Sequence, residues 1–207
     1  MRSVIVVLCC LLFSISASAQ VMDGCPVNGD GGDPGLNKQK NRTEVAASFE
    51  HIPLSRLKKW TRPAGSSKGK PRSQWPESAQ DKVAERESLR VEVIGYLIAQ
   101  RLEGPETCNC HSDSKADYDT HMWITSAADD EKPLSVVSEV TPLVREQHPT
   151  WTTTTLKNLV GKRVRISGDV LFDQEHPEQL GVHRASLWEI HPIMKIEVYK
   201  SGAWHEI

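Results

Sequence analysis

Seven of the eight histidines lie after residue 105, in the company of acidic residues and two of the five cysteines, and these are the donor types that a metal centre or an acid–base site requires. Cys108, Cys110, His111, Asp117 and Asp119 share one polar stretch, while Asp173, Glu175, His176, His183 and Arg184 share another. A divalent transition-metal site drawn from His111, His121, His176 and His191 would take Asp119 or Glu189 as a further ligand or as the support of an imidazole. Zinc suits such nitrogen and carboxylate donors, and an open coordination position would activate water, giving a metal-dependent hydrolase. Two features oppose this reading: Cys108-x-Cys110-His111 is not a CxxC pair, and no HExxH occurs. The competing reading has the histidines bracing loops through hydrogen bonds, with Arg184 paired to Glu175 or Glu189. A Cys110–His111 nucleophilic pair is weaker still, because neighbours on an extended strand point apart.

Residues so far apart in sequence come together only if strands carry them. Leu89 to Ile98 is rich in Val, Ile and Tyr, with Gly95 where a barrel strand would bend. His121 to Thr125 and Leu134 to Val140 read as the second and third strands, and Pro142 ends the pairing. Thr152 to Val160 has Leu156, Leu159 and Val160 at helical spacing, with threonines suited to the N-cap and Gly161 at the stop. Val164, Ile166, Gly168, Val170 and Phe172 alternate with Arg163, Arg165, Ser167 and Asp169, the period of a strand with one apolar face. A fifth strand follows at Ala185 to Ile190, extended by Met194 to Val198 after Pro192. This order predicts a mainly β protein: an OB-fold-like five-stranded barrel with one short helix over residues 89–207, preceded by a largely irregular N-terminal extension over 20–88. A plain antiparallel sandwich is the rival. In an OB-fold the loops 103–118 and 173–184 would flank one binding face, here with Trp123, Arg184, Glu189 and Glu175.

Residues 1–19 carry one positive charge, an apolar run from Val4 to Leu12 and a small-x-small Ala17-Ser18-Ala19, the pattern of an export signal, which predicts a secreted or periplasmic protein. No later apolar run is long enough to cross a bilayer. In an oxidising compartment, Cys25 should pair with Cys108 or Cys110, because a Cys108–Cys110 bridge would close a strained ring. The formal net charge of −2 hides two regions of opposite sign. Residues 36–72 hold ten Lys or Arg against two Glu, whereas residues 89–207 hold 12 basic against 18 acidic side chains. The basic stretch, interrupted by Pro63-Ala64-Gly65-Ser66-Ser67, reads as a linker drawn towards its own acidic domain, and nucleic acid is a partner only through this arm. Gly29 to Gly35 alternates carboxylates with glycines but lacks the later Glu of a calcium loop, so it reads as a turn-rich surface segment.

The segments CPVNGDGGDPGLNKQKNR, DTHMWI, VLFDQEH and ASLWEIHPI resemble those of a group of bacterial exported proteins of uncharacterised function with an OB-fold-like domain. The resemblance spans most of the chain after the signal and implies the domain layout, with no catalytic residues to carry over. The leading expectation is an exported, non-enzymatic binding module for a glycan, a peptide or an envelope protein; the alternative is a metal-dependent, zinc-like hydrolase.

Overall fold

The structure, a computed structural model, describes residues 20–22 and 24–207. The expected export signal, residues 1–19, lies outside them. The strands are β1 (Gln20–Met22), β2 (Cys25–Pro26), β3 (Glu50–His51), β4 (Arg90–Leu102), β5 (Thr120–Thr125), β6 (Val136–Val140), β7 (Arg163–Phe172), β8 (Trp188–Lys200) and β9 (Ala203–Glu206). The α-helices are α1 (Pro34–Lys40), α2 (Leu54–Lys59), α3 (Glu77–Glu87), α4 (Pro142–Gln147) and α5 (Thr153–Lys157).

Strands β4, β5, β6, β8 and β7 pair in that order, and a β4–β7 pairing closes the ring, so the protein is mainly β and built on an OB-fold-like five-stranded barrel. Most pairings are antiparallel; β6 meets β8 in parallel at Ser138 and Ile190. The interior is filled by the alternate residues that the period-two pattern selects, among them Val91, Val93, Met122, Ile124, Val164, Ile166, Val170, Trp188 and Ile190. Gly95 and Gly168 both lie in barrel strands: a Cβ at Gly168 would stand 2.3 Å from the Pro192 carbonyl oxygen and one at Gly95 2.5 Å from that of Thr125. Only a residue without a side chain lets the strands approach so closely at these bends.

The expected helix after the third strand is two short ones. Thr141 caps α4 by accepting from the Val144 amide, and Thr152 caps α5 by accepting from that of Thr155. The fifth strand runs unbroken through Pro192, and β9 pairs with its end.

The extension is mostly irregular, as expected, but it is not a loose linker. Leu54, Leu57, Trp75, Ala79 and Val83 belong to the same hydrophobic core as the barrel. Its basic residues dock on the acidic domain: Arg42 donates to the carbonyls of Val170 and His191 and lies 3.2 Å from Asp169, and Arg72 donates to the Phe172 carbonyl and to Gln174. A guanidinium can saturate several carbonyls at a sheet edge, so Pro and Gly between such anchors shape the path without freeing it.

Candidate functional site

The outer face of the barrel carries a second buried layer, and it is polar. Strand alternation sends Met122 and Ile124 inward and places His121 and Trp123 outward on β5. The β5–β6 register sets His121 opposite Glu139, and the parallel step from β6 to β8 brings Glu189 and His191 alongside. His121 Nε2 lies 2.6 Å from Glu139 Oε1, and His191 Nδ1 lies 3.5 Å from that same oxygen and 3.2 Å from Glu189 Oε1. On its other side, His191 Nε2 faces Asp119 Oδ2 at 3.6 Å. Arg184 links Glu189, at 2.9 Å, to Asp173, at 2.7 Å, and Asp173 also meets His176 Nδ1 at 2.9 Å.

A strap of irregular chain covers this layer. Asp33 caps α1 by accepting from the Gly35 and Leu36 amides. Asn41 then donates to the carbonyls of Val27 and Cys108, and Asn37 to those of Asn28 and Gly31. The glycine-rich segment is therefore a turn-rich support for the strap, with Gly29, Gly31 and Gly32 at positive φ. A disulfide joins Cys25 to Cys110, with Cα atoms 5.9 Å apart. Cys110 has left-handed backbone at the end of a short turn, whereas Cys108 is buried beneath it as a free thiol. From α1, Lys40 Nζ reaches Glu106 Oε2 at 2.6 Å, beside Cys108.

The expected metal set is thus divided. His121, His191 and Asp119 converge around Glu139. His176 belongs to the same chain of ion pairs but contacts Asp173. His111 stands apart at the surface, with Nε2 3.1 Å from the Asp30 carbonyl oxygen. The expected binding face is corrected more strongly: Arg184 is 0%, Glu189 1% and Trp123 3% exposed, so these three cannot meet a ligand, and only Glu175 is partly open. Arg184 pairs with Glu189 as the bracing alternative supposed, and with Asp173 instead of Glu175. Trp123 donates from Nε1 to the His183 carbonyl, and Lys132 Nζ sits 3.6 Å from its ring centroid. Glu139, Glu106 and Lys40 are central to the layer and escape a reading of motifs. The one sequence signal for Glu139 was a carboxylate within the apolar run Val136-Val137-Ser138-Glu139-Val140.

No protein-family model matches this chain, and no curated protein does.

Burial opposes charge throughout the layer, and the neighbours decide which groups keep it. For His191, burial is outweighed by Glu139 and Glu189, and the imidazole is pushed up to about 10. The same balance raises His121, again through Glu139, while the two imidazoles hold Glu139 well below the usual carboxylate range. Burial, with Glu106 next, pushes the Asp119 carboxyl up to about 7, and burial raises the Cys108 thiol. Asp173 is held low despite burial by His176 and Arg184. A base whose pKa is raised stabilises the fold below its unfolded pKa and loses that contribution as pH climbs towards the folded value; an acid whose pKa is raised costs stability as pH rises between its two values. His191, His121 and Asp119 therefore all favour the acidic side, and the depressed Glu139 and Asp173 set the lower bound. Thermal melts in the presence of a chelator should show greater stability at about pH 5.5 than at about pH 9.5, by roughly 2–4 kcal/mol. A flat profile across that interval would remove the charged His191 from the account.

Proposed function

We propose that this protein is an exported, non-enzymatic binding module, kin to the bacterial exported proteins its segments resemble, and that it recognises a peptide or an envelope protein through a cleft beside the residue 173–184 loop. The observation that carries the reading is an exposed aliphatic ledge with an acidic rim. Val160 and Val182, 41% and 54% exposed, line a cleft of about 600 Å³ with Ile98 and Pro133. Leu134, exposed to a similar degree, follows Pro133 directly in sequence, and Leu180, likewise exposed, lies two residues before Val182. Asp129, Asp130 and Glu131 form the rim, and Lys132, the basic residue among them, is turned onto Trp123. Apolar area of this kind, bordered by one sign of charge, suits a segment that presents aliphatic side chains flanked by Lys or Arg.

Other observations support the same reading. A glycan would want an aromatic platform, and Trp123 is sealed. Lys40, Arg42 and Arg72, at 11, 19 and 14% side-chain exposure, are committed to internal carboxylates, which counts against nucleic-acid binding by the arm. The disulfide, together with the absence among the described residues of any helix long and apolar enough to cross a membrane, suits a secreted or periplasmic protein. The alternative, a metal-dependent hydrolase, draws on the converging donors around Glu139. It requires substrate to reach groups that are at most 6% exposed.

Selection of random peptides on immobilised protein provides the test. Enriched peptides should combine aliphatic and basic residues, and Val182→Asp should weaken their binding by at least about tenfold, the effect of roughly 1.4 kcal/mol. Enrichment of peptides without basic residues, or binding indifferent to Val182→Asp and Val160→Asp, would overturn the proposal.

A further inference from the structure

The buried layer contains polar atoms that no hydrogen bond satisfies, two of which, Asp119 Oδ2 and His191 Nε2, face each other at 3.6 Å. Asp119 Oδ2, Glu139 Oε2 and His191 Nε2 all lack a hydrogen bond, on residues that are 1, 3 and 0% exposed. Burying such atoms without hydrogen bonds is costly, so three in one place point to something that they bind. One donor atom of each of these residues lies within 4.8 Å of the others. The Asp119–His191 separation of 3.6 Å is close to the spacing of about 3.4 Å between ligands around a tetrahedral zinc with bonds of about 2.0–2.1 Å.

Two further observations agree. Among the described residues, no Lys or Arg comes within salt-bridge distance of Asp119 or Glu139, whose ion-pair partners are histidines alone. The outer support of a metal site is also in place: Glu189 holds His191 Nδ1, which leaves Nε2 for a metal, and His121 holds Glu139 Oε1, which leaves Oε2.

We propose that Asp119, Glu139 and His191 bind one divalent transition-metal ion on the outer face of the barrel, beneath the strap. Asp119 also converges with Glu106 and Cys108, but there Lys40 already supplies the cation at 2.6 Å from Glu106. The arrangement therefore holds a single ion with a fixed ammonium beside it. The site is closed, and the ion enters during folding, before the disulfide-tied strap settles. This goes beyond the binding-module reading and does not depend on the cleft at Val182.

The experiment uses the protein without a histidine tag, unfolded with its disulfide intact in the presence of a chelator and refolded with Zn²⁺ or Co²⁺. One equivalent should survive gel filtration, and the metal should raise the melting temperature. Cobalt should give a visible spectrum without an intense thiolate charge-transfer band. Asp119→Asn and His191→Gln should abolish retention, His121→Gln should weaken it by about 10–100-fold as loss of an outer support does, and His111→Ala should leave it unchanged. Refolded wild-type protein that holds no metal and melts at the same temperature with or without it would overturn the proposal, whatever the variants do. A thiolate band would overturn the assigned donors by bringing in Cys108, and retention by a folded Asp119→Asn or His191→Gln variant would do the same.

Discussion

Replacing Glu139 by Ala is expected to cost about 3–5 kcal/mol of stability, the usual consequence of removing one partner from a buried ion pair. The loss is large because this carboxylate serves two imidazoles at once, His121 at 2.6 Å and His191 at 3.5 Å, and all three are buried. Without it, His191 keeps Glu189 and Asp119 and His121 keeps Glu103, but each ring loses the strongest of the charges that hold its protonated form in place. The effect should accordingly be greatest in acid, where both rings must carry a proton, and should shrink towards about pH 8–9, where each can be buried neutral. Chemical denaturation of metal-free protein at several pH values measures this directly. A cost below about 1 kcal/mol, or one that does not vary with pH, would mean that the imidazoles are neutral already and that the polar layer is held by ordinary hydrogen bonds.

Removal of the Cys25–Cys110 bond by Cys25→Ser with Cys110→Ser should lower stability by about 4 kcal/mol, since the bond closes a loop with a sequence separation of 85. A second readout separates this from a generic loss. Cys108 is 2% exposed beneath the strap, and its thiol should resist alkylation in the parent protein. In the double variant, opening of the strap should make it react at least about tenfold faster under conditions where the barrel stays folded. Equal alkylation rates would show that Asn37, Asn41 and Lys40 hold the strap without help from the bond.

How far the sequence foretold this depends on whether a residue's role is periodic. The alternation from Val164 to Phe172 announces β7 because a barrel strand repeats its environment every second residue. The Gly95 and Gly168 bends were legible for a similar reason, because glycine within a β-branched run marks close approach of backbones. Glu139 carries no such mark; its importance comes from pairing with a particular residue on β5 and lying beside another on β8. The strap was misread as a linker because its order comes from Arg42 and Arg72 reaching distant carbonyls, and composition records only that such residues are basic. Trp123, Glu189 and Arg184 do share one face, but nothing in their spacing announces that this face is buried, with the Trp123 indole closed off against the His183 carbonyl.

The anchors of the strap also impose an order in time. Arg42 is held by the carbonyls of Val170 and His191, which lie 128 and 149 residues further along the chain, and Arg72 by that of Phe172, 100 residues further. As the polypeptide grows from its N-terminus, the whole extension emerges long before the strands that will receive it. Lys40 likewise waits for Glu106, and the barrel cannot close until β7 meets β4. A ribosome must therefore finish most of the protein before the Arg42 and Arg72 anchors can form, and contacts that span so much of the chain form slowly once they are possible. Until those strands emerge, the extension is left with its own short-range contacts, such as Asp33 on the Gly35 and Leu36 amides and Asn37 on the Gly31 carbonyl.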